Sequence, residues 1–300
     1  MELRTLRYFL AVAREASFTK AANVLHVTQP TLSRQLKELE EELDTDLFVR
    51  HSHSVSLTED GMRLMKRAEE IVDIVQKTRA EFKTDKNDIA GDIYIGAGET
   101  PAVHTLAHVI ADIRKEYPKV RVHVFSGNGP DLVERLEKGL LDFALLIEPI
   151  DLSKFEYLEL NDIDTWGVWV PKNGPLAQKE GIERSDLLDK PLLLSRQAIA
   201  KTSAENDFVA WFGDAFERLN VVATYNLVYN AAVLAENEIG YLVSLKGLYN
   251  GDAQTKLIYR PLLPKLESKL ALAWKRNQVF SPAAQLFVTR LGSLLEKTTT

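Results

Sequence analysis

The sequence predicts an α/β protein with an all-α N-terminal segment, and three patterns lead to this fold class. Short amphipathic helices fill the start of the chain, one long charged helix follows, and strands then alternate with helices from about residue 89. Over 300 residues, 45% are hydrophobic and 27% are charged, which is typical of a globular protein. This balance excludes a disordered or fibrous chain.

Cysteine content and hydropathy narrow the chemistry further. The chain has 0 cysteines, so disulfides, thiolate nucleophiles and zinc–thiolate sites are excluded. No apolar run reaches the roughly 18 residues of a membrane-spanning helix, and the start lacks a signal-peptide pattern. We therefore expect a cytoplasmic protein that has no membrane partner and needs no cofactor.

The first 58 residues predict three packed helices and a small ribbon. Ser17 is suited to cap the second helix, and a third helix opens at Thr28 to Pro30, where proline is tolerated in the first turn. The third helix repeats leucine at helical spacing: Leu32, Leu36, Leu39 and Leu43. Two helices joined by a short turn, with a further helix behind them, predict a helix-turn-helix.

The polar face of the third helix carries groups suited to DNA. Pro30, Ser33, Arg34 and Lys37 fall on the side opposite the leucines. An arginine here can bond a guanine edge or a phosphate, Gln29 can pair with adenine, and hydroxyls such as Thr31 reach phosphate oxygens. The alternative is an ordinary solvated helix face, and this pattern alone does not decide between the two interpretations.

Bulk charge does not help to decide between these readings. The net charge is −6, and residues 1–90 contain 14 Lys and Arg against 16 Asp and Glu. Carboxylates at Glu38 and at 40–42 predict that only the N-terminal half of the third helix approaches a duplex. Any interaction with DNA must therefore depend on a few cations placed locally.

The long helix, from Thr58 to about Lys86, carries a mostly apolar seam. Its positions alternate at intervals of 4 and 3: Gly61, Met65, Ala68, Val72, Val75, Arg79 and Phe82. Such a seam favours packing lengthwise on a second copy of the chain. The alternative is packing on the chain's own body.

After residue 88 the pattern predicts a mostly parallel sheet covered by helices. The regular part comprises strands at 92–97, 120–125 and 141–147, with helices at 102–117 and 129–138. The less regular part comprises strands at 164–171, 192–194 and 241–243, with helices at 206–219, 229–236 and 282–295. Ligands are expected beyond the carboxyl ends of the strands.

The N-terminal segment resembles LysR-type transcriptional regulators. The matching positions, in order and spacing, are Ala13, Ser17, Phe18, Ala21, Ala22, Leu25, Gln29, Pro30, Leu32, Ser33, Leu36, Leu39, Glu40, Leu43, Leu47, Phe48, Arg50, Leu57, Thr58 and Gly61. This resemblance implies a winged helix-turn-helix with the ribbon around 51–54 as its wing. The DNA-binding residues it implies, together with those read from the helix face, are Gln29, Pro30, Thr31, Ser33, Arg34, Lys37, Arg50 and His53.

Two departures from the family pattern concern the DNA-binding part. Asp44 stands where glycine is usual, which is tolerable because Asp accepts a left-handed helix end better than most residues. His51 and His53 stand where arginines are common in the wing. We therefore expect a weaker and pH-dependent grip of the wing on DNA.

The resemblance continues along the rest of the chain, more weakly beyond residue 148. The positions that carry it are Gly91, Gly96, Tyr117, Pro118, Gly127, Gly139, Asp142, Leu176, Leu187, Pro191, Trp274, Ser281 and Pro282. It implies a long linker helix and a C-terminal two-lobed α/β effector module similar to periplasmic solute-binding proteins. The implied domains are 1–58 for DNA binding, 59–88 for the linker and 89–300 for the effector, with lobe I at 89–163 and 268–300 and lobe II at 164–267.

In such a module a small molecule lies between the lobes and meets helix N-termini. The predicted effector-binding residues are Glu99, Thr100, Gly127, Asn128, Glu148, Ser195, Arg196, Gln197, Asn226 and Tyr229. Pro101 suits a first helical position and Thr100 its cap, so Thr100 could equally serve only its own helix. Arg196 is the natural carboxylate partner, whereas Glu99 and Glu148 argue against a multiply charged anion and favour an amine or a neutral polar compound.

Two function classes follow. The first is a ligand-responsive regulator that binds double-stranded DNA as a dimer through the linker, with a tetramer implied by the resemblance and RNA polymerase as an open further partner. The second is a solute-binding or enzymatic module with a degenerate helical head. His104 and His108, four residues apart, could bind a metal, but no third ligand is visible by spacing, so no metal site is predicted.

Overall fold

The computed structural model describes residues 1–51, 54–81, 89–148, 150–199, 206–249 and 255–298. The chain divides into two compact units, residues 1–83 and 84–300. Each unit has its own buried apolar core. Within the described ranges, no helix combines the length and apolarity that crossing a bilayer requires.

The N-terminal unit is a bundle of helices with a two-stranded ribbon. Its elements are α1 (Leu3–Glu15), α2 (Phe18–Leu25), α3 (Gln29–Leu43), β1 (Phe48–Arg50), β2 (Val55–Leu57) and α4 (Glu59–Glu81). Ser17 caps α2 by accepting from the backbone N–H of Lys20, as predicted. Asp44 ends α3 in the left-handed conformation (φ 51°), which confirms that it replaces glycine there.

The leucine repeat of α3 is buried in the core of this unit. Leu32, Leu36 and Leu39 contribute to a cluster that includes Phe9 of α1 and Phe48 of β1, whose rings lie 5.3 Å apart. The predicted packing of the three helices is therefore confirmed. Burial of this face directs the opposite face of α3 to solvent.

The apolar seam of α4 packs in part within its own unit, as the alternative to packing on a second chain predicts, and packing on a second chain stays a prediction. Ala68 and Val72 are buried in the same core cluster, at 0% and 8% exposure. Gly61 approaches the chain so closely that an added Cβ would lie 2.2 Å from the carbonyl oxygen of Leu47. Arg79 is exposed, and Phe82 lies outside the described residues.

The C-terminal unit is a mixed sheet flanked by helices. Its strands are β3 (Gly91–Ala97), β4 (Val120–Ser126), β5 (Phe143–Ile147), β6 (Phe155–Pro171), β7 (Ile182–Glu183), β8 (Leu192–Ser195), β9 (Val221–Tyr225), β10 (Tyr241–Leu245), β11 (Leu257–Leu263) and β12 (Glu267–Lys275). Its helices are α5 (Val103–Glu116), α6 (Gly129–Glu137), α7 (Asp207–Phe212), α8 (Val228–Glu236) and α9 (Pro282–Thr298).

The sheet order places β6 at the junction of two parallel groups. The order is β4-β3-β5-β12-β6-β10-β8-β9, with β11 also paired to β6. Strands β3, β4 and β5 run parallel on one side, and β8, β9 and β10 run parallel on the other. Strands β11 and β12 pair with β6 in antiparallel fashion, so the sheet is mixed rather than mostly parallel.

Several predicted elements have different bounds in the structure. The strand predicted from Asp164 begins at Phe155, and the predicted helix 206–219 stops at Phe212. It stops there because Gly213 adopts φ 56°, and a 3₁₀ turn covers Gly213–Arg218. Strands β9, β11 and β12 were not predicted.

Candidate functional site

The first candidate site is the N-terminal half of α3. Thr28 caps this helix, because its Oγ1 accepts from the backbone N–H of Thr31 at 3.4 Å. The same oxygen lies 2.8 Å from Oγ1 of Thr31. Pro30 lies in the first turn, where its missing N–H leaves no intrahelical bond unmade.

The predicted reading residues of α3 lie on one outward face. Those exposed are Gln29, Pro30, Thr31, Arg34 and Lys37, and Ser33 between them is half-buried. The side chain of Arg34 is 81% exposed, so it is available to a partner. The structure therefore brings six of the eight predicted DNA-binding residues together.

Arg34 and Lys37 have acidic partners one helical turn further along α3. Nε of Arg34 donates to Oε1 of Glu38 at 2.8 Å, and Nζ of Lys37 lies 3.4 Å from Oε1 of Glu41. Nε2 of Gln35 donates to the second oxygen of Glu38 at 2.8 Å. These pairs are exposed, so they are weak and exchange readily for other partners.

Glu40 holds the ribbon against α3, a role that the sequence reasoning missed. Its Oε1 accepts from the backbone N–H groups of Leu47 and Phe48 at 2.8 and 3.2 Å. Oγ1 of Thr58 donates to the carbonyl of Asp46 at 2.7 Å, which joins the start of α4 to the same turn. The signal in the sequence is that Glu40, unlike the other glutamates of α3, is one of the positions that match the family pattern.

The ribbon itself is an antiparallel pair in which Phe48 lies opposite Leu57. Arg50 ends β1, but its side chain lies outside the described part of the chain, as does the whole of His53. Of the wing histidines, His51 is described, and its Nε2 lies 3.0 Å from Oγ of Ser56.

The second candidate site is a small pocket in the C-terminal unit, with a cavity volume of about 60 Å³. It lies at the carboxyl ends of strands from both parallel groups, as expected for such sheets. Its lining residues are Gly98, Glu99, Gly127, Asn128, Ile147, Glu148, Trp166, Ser195, Gln197, Ala198, Tyr225, Asn226, Leu245 and Leu248.

Seven of the ten predicted effector-binding residues line this pocket: Glu99, Gly127, Asn128, Glu148, Ser195, Gln197 and Asn226. The structure does not place Thr100, Arg196 or Tyr229 in the lining. Thr100 is buried and its Oγ1 accepts from the backbone N–H of Ala102 at 3.0 Å, so it serves its own turn, and α5 begins only at Val103. Arg196 is exposed outside the lining, and Tyr229 is 68% exposed on α8.

Two hydrogen bonds cross the pocket from one parallel group of strands to the other. Oε2 of Glu99, which follows β3, accepts from the backbone N–H of Val228 at the start of α8 at 2.7 Å. Oε1 of Gln197, which follows β8, accepts from the backbone N–H of Gly129 at the start of α6 at 2.9 Å. The chain's own oxygens therefore take the first backbone N–H of each of these helices.

Sequence reasoning missed the apolar and aromatic walls of the pocket: Ile147, Trp166, Ala198, Tyr225, Leu245 and Leu248. The hydroxyl of Tyr225 donates to the carbonyl of Val243 at 2.7 Å. Burial, and to a smaller extent the charge of Glu99, raise the pKa of the Tyr225 phenol, so it stays neutral. A signal was present for Leu245, which ends β10, because a strand was predicted at 241–243 and its carboxyl end was expected to face a ligand. No such signal existed for Tyr225, because β9 was not predicted.

The pair His104 and His108 on α5 does not gain a third ligand. Among the described residues, no three His, Asp or Glu side chains are grouped so as to hold a metal ion. A separate feature of the C-terminal unit is the buried carboxyl group of Asp164 on β6, which is 4% exposed. Burial raises the pKa of Asp164 to about 6, although a hydrogen bond with Thr100 opposes this shift.

Two family models match the chain and cover most of it. Residues 3–62 match the bacterial regulatory helix-turn-helix protein, lysR family. Residues 86–296 match the LysR substrate binding domain. The two matches fall on the two units of the structure.

Curated relatives and solved structures agree with these models. The chain is 29% identical to the Hca operon transcriptional activator HcaR of Escherichia coli (strain K12), over 100% of both chains. It is 31% identical to the HTH-type transcriptional regulator AlsR of Bacillus subtilis (strain 168), over 74% of this chain and 73% of that protein.

Among solved structures, full-length CbnR complexed with its target DNA has a TM-score of 0.75 at 18% identity, covering 98% of this chain and 99% of that one. HinK from Pseudomonas aeruginosa, described as a LysR family transcriptional regulator, has a TM-score of 0.57 at 26% identity, with 98% of each chain covered. The first likeness concerns the fold alone, because its sequence identity is low.

Proposed function

The chain belongs to the LysR family of bacterial DNA-binding transcriptional regulators, and from this premise we propose that α3 reads the operator and that the pocket holds the effector. The family consists of transcriptional regulators rather than enzymes, so the enzymatic alternative has no support.

One observation carries the DNA-binding part. The polar residues at the start of α3 share one outward face while Leu32, Leu36 and Leu39 are buried, and Arg34 is 81% exposed. A recognition helix enters the major groove with its N-terminal residues on base edges, which fits this face. We assign base contacts to Gln29 and Arg34, and backbone contacts to Thr31, Ser33 and Lys37, with Pro30 against the groove. The assignment of Arg50 and His53 to the wing stays a prediction from the resemblance.

The effector part rests on the pocket at the strand ends. Its polar lining offers carboxylates, amides and a hydroxyl, namely Glu99, Glu148, Asn226, Gln197 and Ser195. Two hydrogen bonds join the two parallel groups of strands across the same pocket, one made by Gln197 and one by Glu99. A ligand placed there would touch both groups at once and change the balance between open and closed arrangements.

We further propose that the regulator is a homo-oligomer joined through α4. The seam residues Ala68 and Val72 are engaged within the unit, so a second copy would use the exposed face that carries Ile71 and Ile74. Apolar residues three apart on an exposed helix face suit a helix–helix contact. A tetramer and a contact with RNA polymerase are further parts of this proposal. So are the domain bounds 1–58, 59–88 and 89–300.

The proposal is tested with DNA taken from upstream of the protein's own gene. CbnR has been solved with its target DNA, which supports the use of a duplex as the probe. A gel shift should retain a duplex that carries an interrupted inverted repeat, with half-sites about one helical turn or a multiple apart. The affinity should fall steeply with salt. A duplex with scrambled half-sites is the control, and equal retention of both duplexes, or of neither at low salt, would contradict the proposal.

A further inference from the structure

We propose that the pocket takes a small organic amine, bound as its ammonium form between the carboxylates of Glu99 and Glu148. This inference rests on the proposed function, since it names the ligand class of the same pocket. Three features of the described lining carry it: its charge, the occupation of its helix N-termini and its aromatic walls.

The charge of the lining is negative. Glu99 and Glu148 both line the pocket, and none of the described lining residues is Lys, Arg or His. Arg196, the natural carboxylate partner, is exposed outside the lining. An anionic ligand would therefore meet two like charges without a described side-chain counter-charge, whereas a cation is attracted to both.

The first backbone N–H of each helix that begins at the pocket is already used. The N–H of Val228 donates to Glu99 at 2.7 Å, and the N–H of Gly129 donates to Gln197 at 2.9 Å. Helix N-termini favour anions because their free N–H groups point outward. Here an anionic ligand would have to displace oxygens that are tethered to the chain itself.

Glu99 can bind the helix and a ligand together. Its bond to Val228 uses Oε2. The other oxygen, Oε1, is then an acceptor for a donor in the pocket, and an ammonium group carries three such donors. Glu148, which follows β5, is exposed, so its carboxylate can turn toward the same ligand.

The aromatic walls suit the same class of ligand. Trp166 and Tyr225 line the pocket, and a cation near an aromatic face is attracted by the negative charge of that face. The indole N–H of Trp166 is bonded to Ser268 at 3.0 Å and the hydroxyl of Tyr225 to Val243 at 2.7 Å, so neither polar group needs the ligand. The rings themselves are the surface offered to the ligand.

The test uses matched probes that differ in charge. Thermal unfolding of the full chain is followed with butylamine and butyrate, benzylamine and benzoate, and phenethylamine and phenylacetate at fixed pH and ionic strength. At least one amine should raise the melting temperature with increasing concentration, and its carboxylate partner should not. An equal or larger shift with the carboxylates, or no shift with any probe, would overturn the proposal.

Variants identify the groups that hold the amine. Glu148→Gln and Glu99→Gln keep the side-chain shape, and each should weaken the amine about tenfold or more in the thermal-shift titration. Glu180→Gln, on an exposed turn outside the pocket, is the control and should not weaken it. An unchanged amine affinity in Glu148→Gln would overturn the proposal even if Glu99→Gln failed to fold. Operator binding by the parent chain distinguishes failure of the proposed function from failure of this inference. If the parent chain does not bind the operator, the proposed function is contradicted. If it binds the operator but no amine raises its melting temperature, only this inference is contradicted.

Discussion

Arg34 and Glu38 form an ion pair on the outward face of α3, with Nε of the arginine 2.8 Å from Oε1 of the glutamate. The pair spans one helical turn, and both side chains are exposed. An exposed pair of this spacing stabilises a helix by about 0.3–0.5 kcal/mol. The guanidinium can therefore exchange Glu38 for a phosphate or a guanine edge at little cost.

Removal of this competing carboxylate should strengthen DNA binding. Glu38→Gln is expected to bind duplex DNA about threefold more tightly, because Arg34 no longer has to leave an anionic partner and one repulsive charge is lost. Fluorescence anisotropy with a labelled operator measures the change. Glu59→Gln, which removes one of the two acidic partners of Arg63 on α4, is the control and should leave affinity unchanged. Unaltered or weaker binding by Glu38→Gln would show that this face does not meet DNA.

Glu40 should matter for the stability of the N-terminal unit. Glu40→Ala removes the acceptor of two backbone N–H groups, at Leu47 and Phe48, and should destabilise the unit by about 2–3 kcal/mol. Amide hydrogen exchange of α3 and β1 in the full chain measures this loss of protection. Glu41→Ala, whose carboxylate is exposed and pairs with Lys37, should lose much less. Equal losses in the two variants would mean that Glu40 does not hold the ribbon.

Two neighbouring substitutions on α4 should behave differently. Val72→Lys places a charge in the core of the N-terminal unit, so this unit should unfold. Ile74 is 37% exposed, so Ile74→Lys should leave the unit folded but dissociate the oligomer. Circular dichroism measures whether each variant is folded, and sedimentation velocity measures its oligomeric state. If Ile74→Lys sediments as the parent does, the oligomer does not use this face.

The N-terminal unit was largely predictable because its signals are local. The cap at Ser17, the start of α3 near Thr28 and the packing of Leu32, Leu36 and Leu39 are short-range patterns, and the structure confirms them. Leu43, the last leucine of the predicted repeat, is instead 38% exposed. The partner of the α4 seam could not be decided from the sequence for a physical reason. Spacing of 4 and 3 residues makes a helix face apolar whether its partner is another part of the unit or a second chain.

The C-terminal unit was less predictable because much of its sheet depends on contacts distant in sequence. The first part of β6, and the strands β11 and β12, pair antiparallel with elements far along the chain. A local signal was present only in β12, whose residues Leu270 to Ala273 form a buried apolar run. The lining of the pocket was also hard to predict from the sequence, as Arg196 shows. Its neighbours Ser195 and Gln197 line the pocket while Arg196 lies outside the lining, a difference of one residue that sequence reasoning did not distinguish.

The buried carboxyl group of Asp164 should make stability depend on pH. Its pKa is raised from 3.8 to about 6, first by burial, so folding favours the protonated form. The free energy of unfolding should therefore fall as pH rises from about 4 to 6 and then stay lower, by on the order of 2 kcal/mol. Asp164→Asn should be more stable than the parent at pH 7.5, with a difference that vanishes near pH 4. Thermal unfolding across this range measures it, with the exposed Asp189→Asn as control. A constant difference at all pH values would contradict this account of Asp164.

The most direct test of the account compares two exposed arginines in quantitative operator binding. Arg34 and Arg63 each pair with a glutamate in the N-terminal unit, but Arg34 lies on the reading face of α3 and Arg63 lies on α4. Arg34→Ala should weaken operator binding by about 1–3 kcal/mol, while Arg63→Ala should bind as the parent does. Equal affinities of parent, Arg34→Ala and Arg63→Ala for the operator would contradict the assignment of α3 as the helix that reads DNA.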